Sequence, residues 1–261
     1  MRLTPGMEKK FTYSIVIPAY NESQRITASL DKVLAHIAQQ GWTAEVIVVN
    51  DGSRDNTADI IRGYMRAHPI VRLLENPGNK GKGYSVRHGM MEARGDILLL
   101  TDADLSSPIY EARKLFDAIE KDGADIAIGS RWLQKETQTQ RQPFYRQVSG
   151  RIFNIMLRVV LGLKQKDTQC GFKAFTRQAA QSVFPPQRIE RWGFDPEILF
   201  LADKFKLKTA EIPVEWANDE RSKINPLTDG FRMFWEMMRV RWYALTGQYD
   251  NLKPAPAPSS R

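Results

Sequence analysis

Cysteine is almost absent: Cys170 is the single one in 261 residues. That excludes an intramolecular disulfide and fits a reducing compartment. Long hydrophobic runs are missing as well. No stretch of about 18 apolar residues occurs, so no membrane-spanning helix is expected. No apolar stretch precedes the first strand, so no secretory leader is expected either. Internal repeats and an interdomain linker are lacking. With 42% hydrophobic and 26% charged residues, the composition suits a globular protein with one substantial core. Residues 1–10 are expected to be a flexible start, 11–248 a single domain, and 249–261 a disordered Pro-rich tail. Acidic residues are the minority charge. The 38 Lys and Arg against 30 Asp and Glu leave a formal charge of +8, which calls for an anionic partner: nucleotide, nucleic acid or anionic lipid.

What is present in the first half is an alternation of short apolar runs and helical periods. Tyr13 to Ile17 reads as a buried strand stopped by Pro18, and Glu22 to Gln40 as a helix with Ile26, Leu30, Val33, Leu34 and Ile37 on one face. Glu45 to Val49 is a second strand, followed by a helix with Ala58, Ile61 and Met65 inward and a third strand near Ile70 to Leu74. A helix over Gly83 to Ala93 leads to a strand at Asp96 to Leu100, then a helix near Tyr110 to Lys121 and a strand at Asp125 to Ile128. Strands apolar on both faces and separated by amphipathic helices imply an α/β fold with a mainly parallel sheet. Ligands bind such sheets beyond the carboxyl ends of the strands.

Those ends carry Pro18-Ala19-Tyr20-Asn21-Glu22, Asn50-Asp51-Gly52-Ser53, Asn76-Pro77-Gly78 and Thr101-Asp102-Ala103-Asp104. Two carboxylates one residue apart, Asp102 and Asp104, suit a divalent cation that bridges a diphosphate leaving group. The same tripeptide also fits a turn whose aspartates cap the next helix. An EF-hand is excluded, since Ser107 and Arg113 stand where Gly and Glu are required. Asp51 either accepts from the ring N–H of a base or belongs to a helix start capped by Ser53. The basic stretch Asn79 to Gly83 lacks the Gly-Lys-Ser/Thr ending of a P-loop. It leaves Lys82 as a cation for a diphosphate.

Together, IPAYNE, VNDGS, NKGKG and TDAD, in this order on this topology, resemble the family 2 glycosyltransferases over residues 12 to 130. In the second half, Gly129-Ser130-Arg131, the DTQCGFK stretch from Asp167 to Lys173, Arg191-Trp192-Gly193-Phe194-Asp195 and Arg221-Ser222-Lys223 resemble the dolichyl- and polyprenyl-phosphate hexosyltransferases, most of all the glucosyl branch. The resemblance implies a GT-A fold, Mg²⁺ or Mn²⁺, a UDP-sugar donor favoured over a GDP-sugar, and a lipid phosphate acceptor. It implies that Pro18, Ala19, Tyr20, Asn21, Glu22 and Asp51 hold base and ribose, that Asp102, Ala103 and Asp104 meet metal and diphosphate, and that Lys223 closes over the donor. Arg131, Arg146 and Gln169 would meet the acceptor phosphate, with Asp195 a reserve base. Ser106 replaces the glutamine that many mannosyl relatives use as a further metal-site ligand.

Two further absences shape the mechanism. The Glu-Asp pair of hydroxyl-glycosylating members is missing, with Phe194-Asp195 in its place, and Met238 stands where processive synthases have the glutamine of QxxRW. A phosphate monoester, largely dianionic at neutral pH, needs no base to attack; it needs arginines to bring two anions together. Two segments, Phe144 to Leu163 and Leu227 to Thr246, interleave arginine with apolar residues. Such helices suit a membrane surface, which would make the enzyme peripheral on the cytosolic face; they equally suit the core or a homodimer interface. A soluble transferase acting on a hydroxyl is the alternative function. Nucleic-acid binding is disfavoured because carboxylates on the strand ends repel phosphate.

Overall fold

A computed structural model describes residues 11–133, 138–140, 144–217 and 226–256, with backbone alone for 138–140, 144–149, 152–153 and 226–229. In chain order the elements are β1 (Tyr13–Ala19), α1 (Ile26–Gln40), β2 (Ala44–Asn50), α2 (Thr57–Ala67), β3 (Val71–Glu75), α3 (Lys82–Glu92) and β4 (Ile97–Leu100). A short 3₁₀ turn then precedes α4 (Ala112–Glu120), β5 (Ile126–Ser130), β6 (Gln138–Gln140), α5 (Phe144–Leu161), β7 (Lys173–Thr176) and α6 (Arg177–Val183). The chain continues through α7 (Phe194–Lys204), β8 (Thr209–Pro213), β9 (Trp216–Ala217) and α8 (Pro226–Leu245).

Seven strands form one sheet in the order β3-β2-β1-β4-β7-β5-β8, with only β7 antiparallel to its neighbours. The expected mainly parallel sheet is therefore present. Alternating residues of its strands feed two cores. Ile15, Ile17, Val46 and Val48 pack with α1, α2 and α4 on one face, and Val16, Ile47 and Val49 pack with α3, α6 and α7 on the other. The chain adds β2 and β3 in one direction, then returns past β1 to lay down β4. Crossovers of a single hand place α3 on the opposite face from α1 and α2. The point of reversal lies between β1 and β4, where a crevice opens.

Several expectations need correction. Pro18 does not stop β1, which runs to Ala19 with Pro18 opposite Val49. Val16 accepts from Thr101 on the β4 side and Ala19 from Asp51 on the β2 side, so an N–H at position 18 would point past the end of β4. No hydrogen bond is lost there. The helix expected from Glu22 begins at Ile26, because residues 21 to 25 form a turn. Met65 is exposed, and α2 buries Ile61 and Thr57 instead. The tail does not leave the fold at residue 249. Tyr249 is fully buried with its hydroxyl on Glu197 at 2.6 Å, and the Ala255 N–H donates to Ser182 at 2.9 Å. On α5, Asn154 belongs to the buried face, where its amide meets the Thr168 hydroxyl at 3.0 Å.

Candidate active site

The loops after β1, β2 and β3 are tied together by their own polar groups. Asn21 adopts a left-handed conformation at φ 54°. Its N–H donates to Ser53 Oγ at 2.9 Å and its side-chain oxygen accepts from the Arg54 N–H at 2.8 Å. Asn21 thus shapes the turn, and does not itself line the cavity. Asp51 accepts from Asn76 Nδ2 at 2.8 Å and from the N–H groups of Lys80 and Gly81 at 2.9 and 2.8 Å. The aspartate that resembles a base-binding residue therefore also organises the basic loop. Gly81 has φ 112°, and a Cβ there would lie 2.5 Å from the Glu190 carbonyl oxygen, so this loop is pressed against residues 190 and 191.

Beside the β1–β4 reversal lies a cavity of about 370 Å³. Pro18, Ala19, Tyr20, Glu22 and Asp51 line it together with Lys82, Asp102, Ala103 and Asp104. Lys82 Nζ is 2.6 Å from Asp102 Oδ1. Arg25 binds Glu22 through Nε at 2.7 Å and reaches Asp104 at 3.7 Å, while the Ser106 N–H donates to Asp104 Oδ1 at 2.9 Å. Burial, and next the Asp102 charge, hold the Asp104 carboxyl above its ordinary pKa. Burial works against the Lys82 charge, but Asp102 and Asp195 outweigh it and its pKa rises. Two close carboxylates, with the charge of Asp104 disfavoured by Asp102, would fit a hard divalent cation able to neutralise a diphosphate. Among the described residues no group of three His, Cys, Asp or Glu could hold a metal.

The second-half candidates are not all brought to the cavity. Arg131 lies outside its lining. Its Nε and Nη2 bind both oxygens of Asp167 at 2.7 and 2.8 Å, its own N–H adds a third contact at 3.0 Å, and Asp167 is fully buried. Gln169 sits beside this pair, its N–H 3.3 Å from Asp167 Oδ1. Asp195 is buried at the start of α7 and is bonded to Lys173 Nζ at 2.5 Å. Burial holds its carboxyl above the ordinary range. The Arg146 side chain and Lys223 lie outside the described residues.

Sequence reasoning missed five lining residues: Arg25, Ser85, Arg191, Trp192 and Arg232. Arg25 carried a signal, its i,i+3 spacing from Glu22. Trp192 stands 5.3 Å from Lys82 Nζ, yet its motif carried no assigned role. Arg232 read as the polar face of a helix. Gly171 was missed too: a Cβ there would lie 2.3 Å from Asp102 Oδ2, so only glycine leaves that carboxylate its place.

The model of glycosyl transferase family 2 matches residues 14–184. A dolichyl-phosphate beta-glucosyltransferase of Trichomonas vaginalis is 38% identical over 95% of this chain and 76% of its own length. The Homo sapiens dolichyl-phosphate beta-glucosyltransferase is 36% identical over 90% of this chain and 76% of its own. Among solved structures, glucosyl-3-phosphoglycerate synthase of Mycobacterium tuberculosis, in complex with Mn²⁺, UDP-glucose and phosphoglyceric acid, aligns with a TM-score of 0.60 at 19% identity. The alignment covers 89% of this chain and 80% of that one. The sheet order, the crevice at its reversal and the paired aspartates at the end of β4 thus accompany a GT-A fold, and the chain belongs to glycosyl transferase family 2.

Proposed function

We propose that this glycosyltransferase moves glucose from UDP-glucose to a polyprenyl or dolichyl phosphate, with inversion, at the cytosolic surface of a membrane. The observation that carries the reading is the meeting of Asp102, Asp104 and Lys82 in one cavity with Tyr20, Glu22 and Asp51. The names of the relatives supply the sugar and the lipid. Pro18, Ala19, Tyr20, Glu22 and Asp51 take the uridine. Held by Asp102 and Asp104, Mg²⁺ or Mn²⁺ supplies charge neutralisation for the departing diphosphate. Lys82 adds a second cation there. An oxygen of the lipid phosphate attacks the anomeric carbon as the bond to UDP breaks, giving a β-linked sugar from an α-linked donor. The dianion carries no proton that must be removed, so a buried, lysine-bound Asp195 is not required as a base.

No helix among the described residues is long and apolar enough to cross a membrane. However, α8 exposes Phe231, Trp235, Met238, Trp242 and Leu245, and α5, packed beside it, exposes Ile155 and Val159. With Arg232, Arg239 and Arg241 on the same helix, this surface suits an anionic headgroup layer. The test is a panel of labelled UDP- and GDP-sugars with polyprenyl phosphate, with and without EDTA. Organic-phase label is expected from UDP-glucose alone and is abolished by EDTA. Label that stays aqueous on a simple glycoside overturns the reading.

A further inference from the structure

We infer that Arg191 and Arg232 form a paired-guanidinium site for the phosphate of the lipid acceptor; the inference rests on the function proposed above and deepens it. The cations in the described lining of the cavity are Arg25, Lys82, Arg191 and Arg232. Arg25 is engaged by Glu22 and Lys82 by Asp102. Among the described residues neither Arg191 nor Arg232 makes an ion pair with a carboxylate of the cavity, and both side chains are exposed. Arg131, the arginine that resemblance points to, is held by a buried aspartate.

The two arginines come from separate elements that the fold locks together. The loop carrying Arg191 accepts from the N–H groups of Gly83 and Tyr84 through the carbonyls of Arg191 and Glu190, at 3.2 and 2.9 Å. On its other side, the Gly193 N–H donates to Glu236 Oε2 at 2.7 Å, and a Cβ at 193 would lie 2.7 Å from the Glu236 Cβ. Glu236 is one helical turn beyond Arg232. Glu236 is thus bonded to a backbone amide, while its charge also acts on Arg191 and Arg232, and the same contact fixes α8 against the loop of Arg191. Two guanidiniums lining one cavity suit the forked, multidentate binding that phosphate oxygens favour.

Their position selects which phosphate. Phe231 immediately precedes Arg232, and Trp235 follows by three residues; both are exposed. A lipid phosphate keeps its hydrocarbon in the membrane and offers only its charged head to a polar cavity, so its phosphate enters beside this apolar stripe. The donor diphosphate is instead served by Lys82 and the aspartates.

The test is steady-state kinetics with UDP-glucose and a short-chain polyprenyl phosphate, comparing wild type with Arg191→Ala, Arg232→Ala, the double variant and Arg232→Lys. Losing one charge-assisted phosphate contact is expected to raise the acceptor KM by about 10-fold or more. The donor KM and the equilibrium affinity for UDP stay unchanged, and Arg232→Lys recovers part of the loss. A rise in donor KM or weaker UDP binding, with acceptor KM unchanged, overturns the assignment in favour of the diphosphate. No change in either KM removes any phosphate role. Wild-type protein that forms no lipid-linked sugar overturns the proposed function itself, a result distinct from wild-type transfer that the arginine variants leave untouched.

Discussion

Two cation–carboxylate pairs, Lys82–Asp102 and Arg131–Asp167, look equivalent in sequence and differ in everything that matters for function. Lys82 makes one contact at 2.6 Å, and the Asp102 side chain is 34% exposed within the cavity. Arg131 makes two parallel contacts to a carboxylate that is 0% exposed. A single contact to a carboxylate that is partly open to the cavity can be exchanged for a ligand. A forked contact to a buried carboxylate cannot open without stranding a charge in the interior, which costs several kcal/mol. A charged residue near a strand end is therefore a binding group only if its partner can be released.

The largest expected effect tests the first pair's surroundings. Replacing Asp102 and Asp104 together by Asn should lower transfer by about 10³-fold or more, the scale of losing electrostatic stabilisation of a leaving group. The thermal midpoint should barely move. Activity that survives would break the comparison from the cavity side. Next, Arg131→Ala should cost about 3–5 kcal/mol in denaturant unfolding, because it leaves a buried carboxylate unpaired. Burial alone would raise the Asp167 pKa, but the Arg131 charge and hydrogen bonds outweigh it and the pKa lies below the ordinary value. The pair's contribution is whole above the unfolded-state value of about 4 and is lost as pH falls through the depressed folded value. The stability gap between wild type and variant should therefore close on acidification. A variant of wild-type stability with a raised acceptor KM would instead make Arg131 a substrate ligand. Gly171→Ala follows in size. Pushing the Asp102 carboxylate aside should reduce kcat roughly 10²-fold, the cost of a misplacement near 1 Å, with UDP affinity less affected.

The same contrast explains what was legible beforehand. Strands β1, β2 and β4 are apolar on both faces because both faces of the sheet are covered, so periodicity located their ends, while the roles given to Pro18 to Glu22, Asp51 and Asp102 to Asp104 came with the resemblance. Strand β7 runs antiparallel between β4 and β5, and the sequence FKAFT has no period that says so. Arg232 reaches the cavity because α8 is docked by Glu236 on Gly193 and by buried Met237 and Val240, contacts distant in sequence that no local pattern encodes. Arg131 was placed with the acceptor by resemblance, and its bond to Asp167, which lies in another motif, was not legible from local sequence. Meanwhile α5 and α8 have apolar residues on two sides: Leu157, Leu161, Met237 and Val240 face the core, and Ile155, Val159, Phe231 and Trp235 face outward. The amphipathic reading drew the outward set, Ile155, Val159, Phe231, Trp235, Met238, Trp242 and Leu245, and missed the core-facing one.

The smallest effect is the sharpest discriminator. Lys82→Met removes the cation of the cavity pair while keeping most of its apolar stem beside Trp192. The exposed Asp102 carboxylate can then be hydrated from the cavity, so the lost pair is worth about 0–1 kcal/mol of stability. Lys82 is also the first residue of α3, where a positive charge is disfavoured by the helix dipole, which offsets part even of that. Chemical unfolding should thus give nearly wild-type stability, against the several kcal/mol lost in Arg131→Ala. The functional loss should run the other way, with a raised KM for UDP-glucose, because the diphosphate has lost a cation, and an unchanged KM for the lipid phosphate. If Lys82→Met instead unfolds as readily as Arg131→Ala, both pairs are structural, and the loop from Asn79 to Gly83 is a support for the cavity rather than part of its binding surface.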